Sequence, residues 1–194
     1  MSPRSNLTKQ TVVQAAADLI NSEGPEALSL GRLAKELGIR TPSLYNHVNG
    51  LPGLMRELSV LNAYNLADRI SEAAIGQSGA DAVRAIMQAM RTYINEYPGL
   101  YLSTLRASGT QQEVNPELEH EEARSVKVGL AVMASFGLEG GDAIHALRGL
   151  RSLVHGFATL EVSGGFGIPL DLDESFSRLV GLFITGLEKQ KLND

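Results

Sequence analysis

Thr41, Ser43, Tyr45, Asn46 and His47 lie within seven residues and bring hydroxyl, phenol, amide and imidazole groups together with almost no formal charge. Such groups trade hydrogen bonds with planar polar edges, and the amide of Asn46 suits a two-pronged bond to an adenine. Other candidates for chemistry are weaker. His120-Glu121-Glu122 has the start of a metal motif, but the His-Glu-x-x-His pattern needs histidine where Arg124 stands. Glu117, Glu119 and Glu121 there read as the acidic start of a solvated helix. Gly164-Gly165-Phe166-Gly167 has no preceding strand and no following Lys-Ser/Thr, so it reads as a linker rather than a phosphate cradle. Ser152 and His155 share a helix face without a third catalytic group, and the absence of cysteine excludes disulfides, thiol chemistry and thiolate zinc sites. The expectation is a protein that is not an enzyme and uses no cofactor or metal.

The polar set needs a scaffold. Leu30, Leu33, Ala34 and Leu37 fall at i, i+3, i+4 and i+7, one apolar helix face, with Ser29 as N-cap. Gly38 ends that helix at a position suited to positive φ. Thr41 is expected to cap a second helix with Pro42 in its first turn, and Leu44 and Val48 point inward. Two short helices joined at a tight glycine turn make a helix-turn-helix, whose second helix enters a DNA major groove. The same spacing also fits an ordinary helical hairpin with a solvated face.

The chain has 194 residues and a net charge of −5, with 43% apolar and 20% charged residues. Acidity at first argues against nucleic acid, but distribution decides, since affinity follows the phosphates neutralised at the interface. Residues 1–50 carry Arg4, Lys9, Arg32, Lys35 and Arg40 against Asp18, Glu23, Glu26 and Glu36, a slight positive excess on an acidic remainder. Arg4 and Lys9 are either an arm that touches phosphate or simply solubilising charges. The first twenty residues show no secretory pattern and no stretch reaches the ~20 apolar residues of a membrane span, so a cytoplasmic protein without membrane contact is expected.

Around this head the periodicity is helical throughout. Val13, Ala16, Ala17 and Ile20 form a first helix that ends at Gly24-Pro25. A long helix spans about residues 51–74, another about 80–96, and a shorter segment containing Leu100, Tyr101, Leu102 and Leu105 follows Tyr97-Pro98-Gly99. Residues 108–116 read as a loop, and a further helix spans about 117–136. In the last two helices Leu147, Leu150, Val154 and Phe157, then Phe176, Leu179 and Phe183, recur at heptad steps, with Asp171 and Glu174 as a capping box. Their several apolar sides permit a four-helix interface with a second copy, or burial of every side within one domain. The fold class is all-α, about nine helices: a helix-turn-helix domain over 1–50 and a C-terminal helical effector-binding and dimerisation domain over 51–194.

Residues 28–39 with Thr41-Pro-Ser-Leu-Tyr-Asn-His-Val48 resemble the tetracycline-repressor (TetR) family, whose recognition helix reads Leu-Tyr-x-His-Phe or Leu-Tyr-x-His-Val. Residues 151–161, with Val154-His155-Gly156, are similar to a subgroup with a Trp-His-Gly signature, Val154 standing in place of Trp. The resemblance implies a homodimeric, ligand-responsive repressor whose partners are double-stranded operator DNA, a small-molecule effector and a second copy of itself. Arg40, Thr41, Pro42, Ser43, Tyr45, Asn46, His47 and Lys9 are the expected DNA contacts. Tyr64, Met87, Met90, Tyr101, Leu105, Met133, Arg151 and His155 are candidates for an effector pocket, or plain core. Many family members place at the start of the fourth helix a Lys that reaches phosphate; this sequence has Leu51.

Overall fold

A computed structural model describes residues 7–107 and 115–190. Arg4 and most of the expected loop after residue 108 lie outside the described residues. Among the described residues there are nine α-helices and no strand. They are α1 (Lys9–Glu23), α2 (Leu30–Glu36), α3 (Thr41–Leu44), α4 (Gly50–Ala74), α5 (Gly79–Glu96), α6 (Pro98–Ala107), α7 (Pro116–Ala134), α8 (Gly140–Val162) and α9 (Leu172–Gln190), with a 3-10 turn at Pro25–Ala27. The all-α expectation holds. None of these helices is long and apolar enough to cross a membrane.

The chain divides into two compact units: residues 1–63 with 97–118, and residues 64–96 with 119–194. Helix α6 thus groups with the first three helices, and α4 contributes its beginning to one unit and its end to the other. In the first unit Val12, Val13, Ala16, Ala17, Leu19 and Ile20 of α1 meet Leu33, Ala34, Leu44, Val48, Leu54, Leu58 and Leu100 in one core. Burying such side chains contributes ~1.5–3 kcal/mol each, which is what holds helices too short to persist alone. Gly99 lets α6 approach α1 closely, since a Cβ there would collide with the Ile20 carbonyl. Asn21 Oδ1 accepts the Leu100 N–H at 2.8 Å, capping the start of α6 from the end of α1.

In the second unit α5 packs on α8 and α9. Val83, Ile86, Met87, Met90, Tyr93 and Ile94 of α5 are buried, as are Leu150, Val154 and Ala158 of α8 and Phe176, Val180 and Ile184 of α9. Arg91 sits within this packing at only 5% exposure. Its guanidinium grips both oxygens of Glu161 at 2.8 and 2.6 Å, reaches Asp173 at 2.7 Å and lies 4.9 Å over the Phe176 ring. One cation therefore ties α5, α8 and α9 together. The Gly-rich link is held beside it by Phe166, whose ring centroid stands 4.9 Å from that of Phe157.

Candidate nucleic-acid interface

The polar set of α3 is positioned by the turn before it. Ser29 Oγ accepts the Arg32 N–H at 3.1 Å and starts α2 as expected. At its other end Ile39 N–H donates to Ala34 C=O and Gly38 N–H to Lys35 C=O, at 2.9 and 3.2 Å, the paired bonds of a Schellman motif. Gly38 takes φ 66°, the left-handed conformation this motif needs. The chain then reverses and α3 begins. Thr41 is not its cap: Arg40 holds the N-cap position without a side-chain bond, because Thr41 is already the first helical residue. Regular α-helix lasts four residues, then tightens into i+3 turns in which Asn46 N–H donates to Ser43 C=O and His47 N–H to Leu44 C=O.

Burial sorts the side chains cleanly. Leu44 and Val48 enter the core. Tyr45 is 60% exposed, Arg40, Pro42 and Asn46 are also exposed, and Thr41, Ser43 and His47 are half-buried. The side chains of Arg40, Thr41, Ser43, Tyr45, Asn46 and His47 make no hydrogen bond or ion pair to another described residue. Their donors and acceptors are therefore satisfied only by solvent, and replacing that solvent with a base edge leaves no protein partner orphaned. The structure brings together every expected contact except Lys9. Lys9 stands at the start of α1 with Nζ 2.9 Å from Glu57 of α4, and this hydrogen bond raises its ammonium above the ordinary lysine range.

Local charge is less free than the sequence suggests. Arg32 lies between Glu23 at 2.6 Å and Glu36 at 2.7 Å. At the α4 N-terminus Leu51 is exposed. Gly50 N–H donates to Val48 C=O and Gly53 N–H to Asn49 C=O, and Pro52 has none, which leaves Leu51 N–H as the backbone donor there. Arg56 was missed in the sequence. Its Nη2 lies 3.8 Å from where a Gly53 side chain would begin, so the guanidinium folds back over the first turn of α4. The signal was its place five residues after Leu51, where a long side chain leaning toward the helix N-terminus substitutes for a basic residue at the start.

The remaining expectations scatter. Met87, Met90 and Met133 are buried in the second unit, His155 is half-buried there, and Tyr64 is exposed with the Arg124 guanidinium 5.7 Å from its ring centroid. Tyr101 and Leu105 belong to the first unit. Arg151 is exposed on α8, at the flank of the buried Leu150–Val154 stripe. Of the expected dimer residues, Leu150, Val154 and Phe176 are buried within the second unit. Leu147, Phe157, Leu179 and Phe183 keep part of theirs.

Residues 83–183 match the model of the tetracyclin repressor-like C-terminal domain. An uncharacterised HTH-type transcriptional regulator, YobS of Bacillus subtilis strain 168, is 34% identical over 187 residues, 96% of each chain. The chain belongs to the tetracycline-repressor (TetR) family. It is accordingly a DNA-binding transcriptional regulator whose helix-turn-helix is α2 and α3. The TetR fold is shared with a protein of unknown function from Rhodococcus sp. RHA1, at a TM-score of 0.82, 19% identity and coverage of 97% and 100%. It is shared too with a TetR variant from Acinetobacter baumannii AYE solved in complex with minocycline, at a TM-score of 0.72, 22% identity and coverage of 96% and 99%.

Proposed function

We propose that this TetR-family regulator is a homodimeric repressor, released from a pseudo-palindromic operator by a small, largely apolar effector. The observation that carries the DNA contact is the exposed, unpartnered polar face of α3 standing on a closed core. Residues 1–50 form the DNA-binding domain and residues 51–194 the effector-binding and dimerisation part. Thr41, Pro42, Ser43, Tyr45 and Asn46 meet the groove, Asn46 reads adenine, and Tyr45, His47 and Arg40 reach phosphate. Arg56 and the Leu51 N–H take the place of the missing lysine, and Lys9 contributes only by exchanging Glu57 for phosphate. Two heads bind successive major grooves about one helical turn, ~34 Å, apart.

The minocycline complex of the Acinetobacter variant supports a small-molecule effector, and Tyr64, Met87, Met90, Met133 and His155 of the second unit are the candidates to line its site. The effector acts through its preference for the state that does not bind DNA. A role in catalysis has no support among the described residues. Arg124, where a metal motif would need histidine, is paired with Glu121 at 2.6 Å, and among the described residues no group of three or more His, Asp or Glu side chains could hold a metal. The regulator works in the cytoplasm, with its DNA.

The test is a shift assay on a palindrome from the DNA flanking the coding region, with and without cell metabolites. Wild type should bind and be released by an extract fraction. Replacing Tyr45 and Asn46 together by alanine should weaken specific binding by more than about tenfold, as each lost base contact costs ~1–3 kcal/mol. Helicity and oligomeric state should stay unchanged, since both side chains are exposed. Unaltered operator affinity in that double variant rules the assignment out.

A further inference from the structure

The first unit contains a cleft of about 400 Å³ lined by residues of that unit alone, none of them on α3. Its apolar walls are Ile20 of α1, Leu28 beyond the 3-10 turn, Met55 of α4 and Leu102 of α6; Asn21 and Glu26 supply the polar groups. This is the composition of a small-ligand site, a half-open apolar cleft with a few polar atoms, at the small end of the usual size range. The polar atoms are not consumed by the fold. Asn21 spends Oδ1 on the Leu100 N–H, while its Nδ2 bonds to no described residue. Glu26 forms no ion pair with a described residue, and its Oε2 lies 3.5 Å from where a Gly24 side chain would begin, turned back along the turn that borders the cleft.

Charge decides the ligand class. Two helix ends meet here with opposite partial charges, the C-terminus of α1 and the N-terminus of α6, each worth roughly half an elementary charge. Both are partly spent: Pro98 has no N–H and Leu100 N–H is bonded to Asn21, while Ile20 C=O accepts the Gly24 N–H at 3.1 Å. The two ends therefore offset each other, and the full charge of the unpaired Glu26 remains. The balance favours a cation.

We propose that this cleft binds a compact apolar amine, with the ammonium on Glu26 and the hydrocarbon body among Ile20, Leu28, Met55 and Leu102. The site is distinct from the effector region of the second unit and its occupancy does not depend on DNA. Methionine reports location: among the described residues Met55 alone lines this cleft, whereas Met87, Met90 and Met133 are buried in the other unit. The full chain labelled with carbon-13 at the methionine methyls is titrated with benzylammonium chloride, and benzyl alcohol serves as the neutral match. A saturable shift at Met55 is expected, weaker with the alcohol, and weakened about fivefold by Glu26→Gln, the worth of one partly exposed ion pair. Glu26 is exposed, so circular dichroism should show the variant folded as wild type. Absence of a saturable Met55 shift, a shift centred on Met87, Met90 or Met133, or equal affinity in Glu26→Gln overturns the proposal. None of these outcomes bears on operator binding, which is measured separately.

Discussion

At Leu51 a residue without charge stands where the α4 N-terminus approaches phosphate in the proposed complex, and this sets how the head must bind. With Arg32 held by two carboxylates and Lys9 by Glu57, few cations remain for counterion release, and affinity rests on neutral groups of α3. Replacing Leu51 by lysine should then raise operator affinity several-fold at low salt and steepen the logarithmic salt dependence by about one unit, the effect of one added phosphate contact. Fluorescence anisotropy at four salt concentrations measures both. An unchanged slope would mean that the α4 N-terminus does not face phosphate. The polar set itself was legible because caps, the Gly38 turn and inward Leu44 and Val48 are local signals. The pairing of Lys9 and Arg32 was not, since Glu57 and Glu23 meet them only once the helices have packed.

The helices show the same division between local and distant causes. The ends of α2 and α9 follow from Ser29 and Asp171: each side chain accepts N–H bonds from the first turn that it caps, Asp171 from Asp173 and Glu174. Arg91 carried no such mark. It lies on an otherwise apolar face of α5, and its partners Glu161 and Asp173 are far along the chain. Replacing Arg91 by alanine should cost roughly 2–3 kcal/mol, less than a fully buried pair because Asp173 is in water. Hydrogen bonding to Arg91, opposed by burial, holds the Glu161 carboxyl below the ordinary glutamate range. A carboxyl whose pKa is depressed in the folded state stabilises above its unfolded value and loses that contribution as pH falls through the folded one. Urea melts of wild type and Glu161→Gln should therefore differ most near neutrality and converge below about pH 4, the unfolded glutamate range. A gap that persists undiminished into acid would assign the loss to packing instead.

At the scale of the molecule, the proposed recognition of two successive grooves requires two heads, and the surface proposed to join them must come from side chains the chain does not cover itself. Heptad spacing singled out Leu150, Val154 and Phe176, but spacing shows only that a face is apolar, not which neighbour fills it, and all three are buried within the second unit. Among the residues left over are Leu182 at 73% exposure on α9 and Ile144 at 44% on α8, with the half-buried Leu147, Phe157, Leu179 and Phe183; Leu160 and Val162 are exposed farther along α8. A stable dimer buries about 800 Å² per partner, and an unpaired carboxylate inside such a surface opposes its formation. Changing Leu182 and Ile144 together to aspartate should convert the protein to a monomer by light scattering. Operator affinity should then fall at least about a hundredfold, the usual advantage of two linked contacts over one. Leu150→Ala should act in the opposite pattern, losing ~2–5 kcal/mol of stability through a core cavity while remaining dimeric at temperatures below its lowered melting point. Were the double aspartate variant still a dimer that binds operator as wild type does, the joining surface would have to lie away from the exposed faces of α8 and α9.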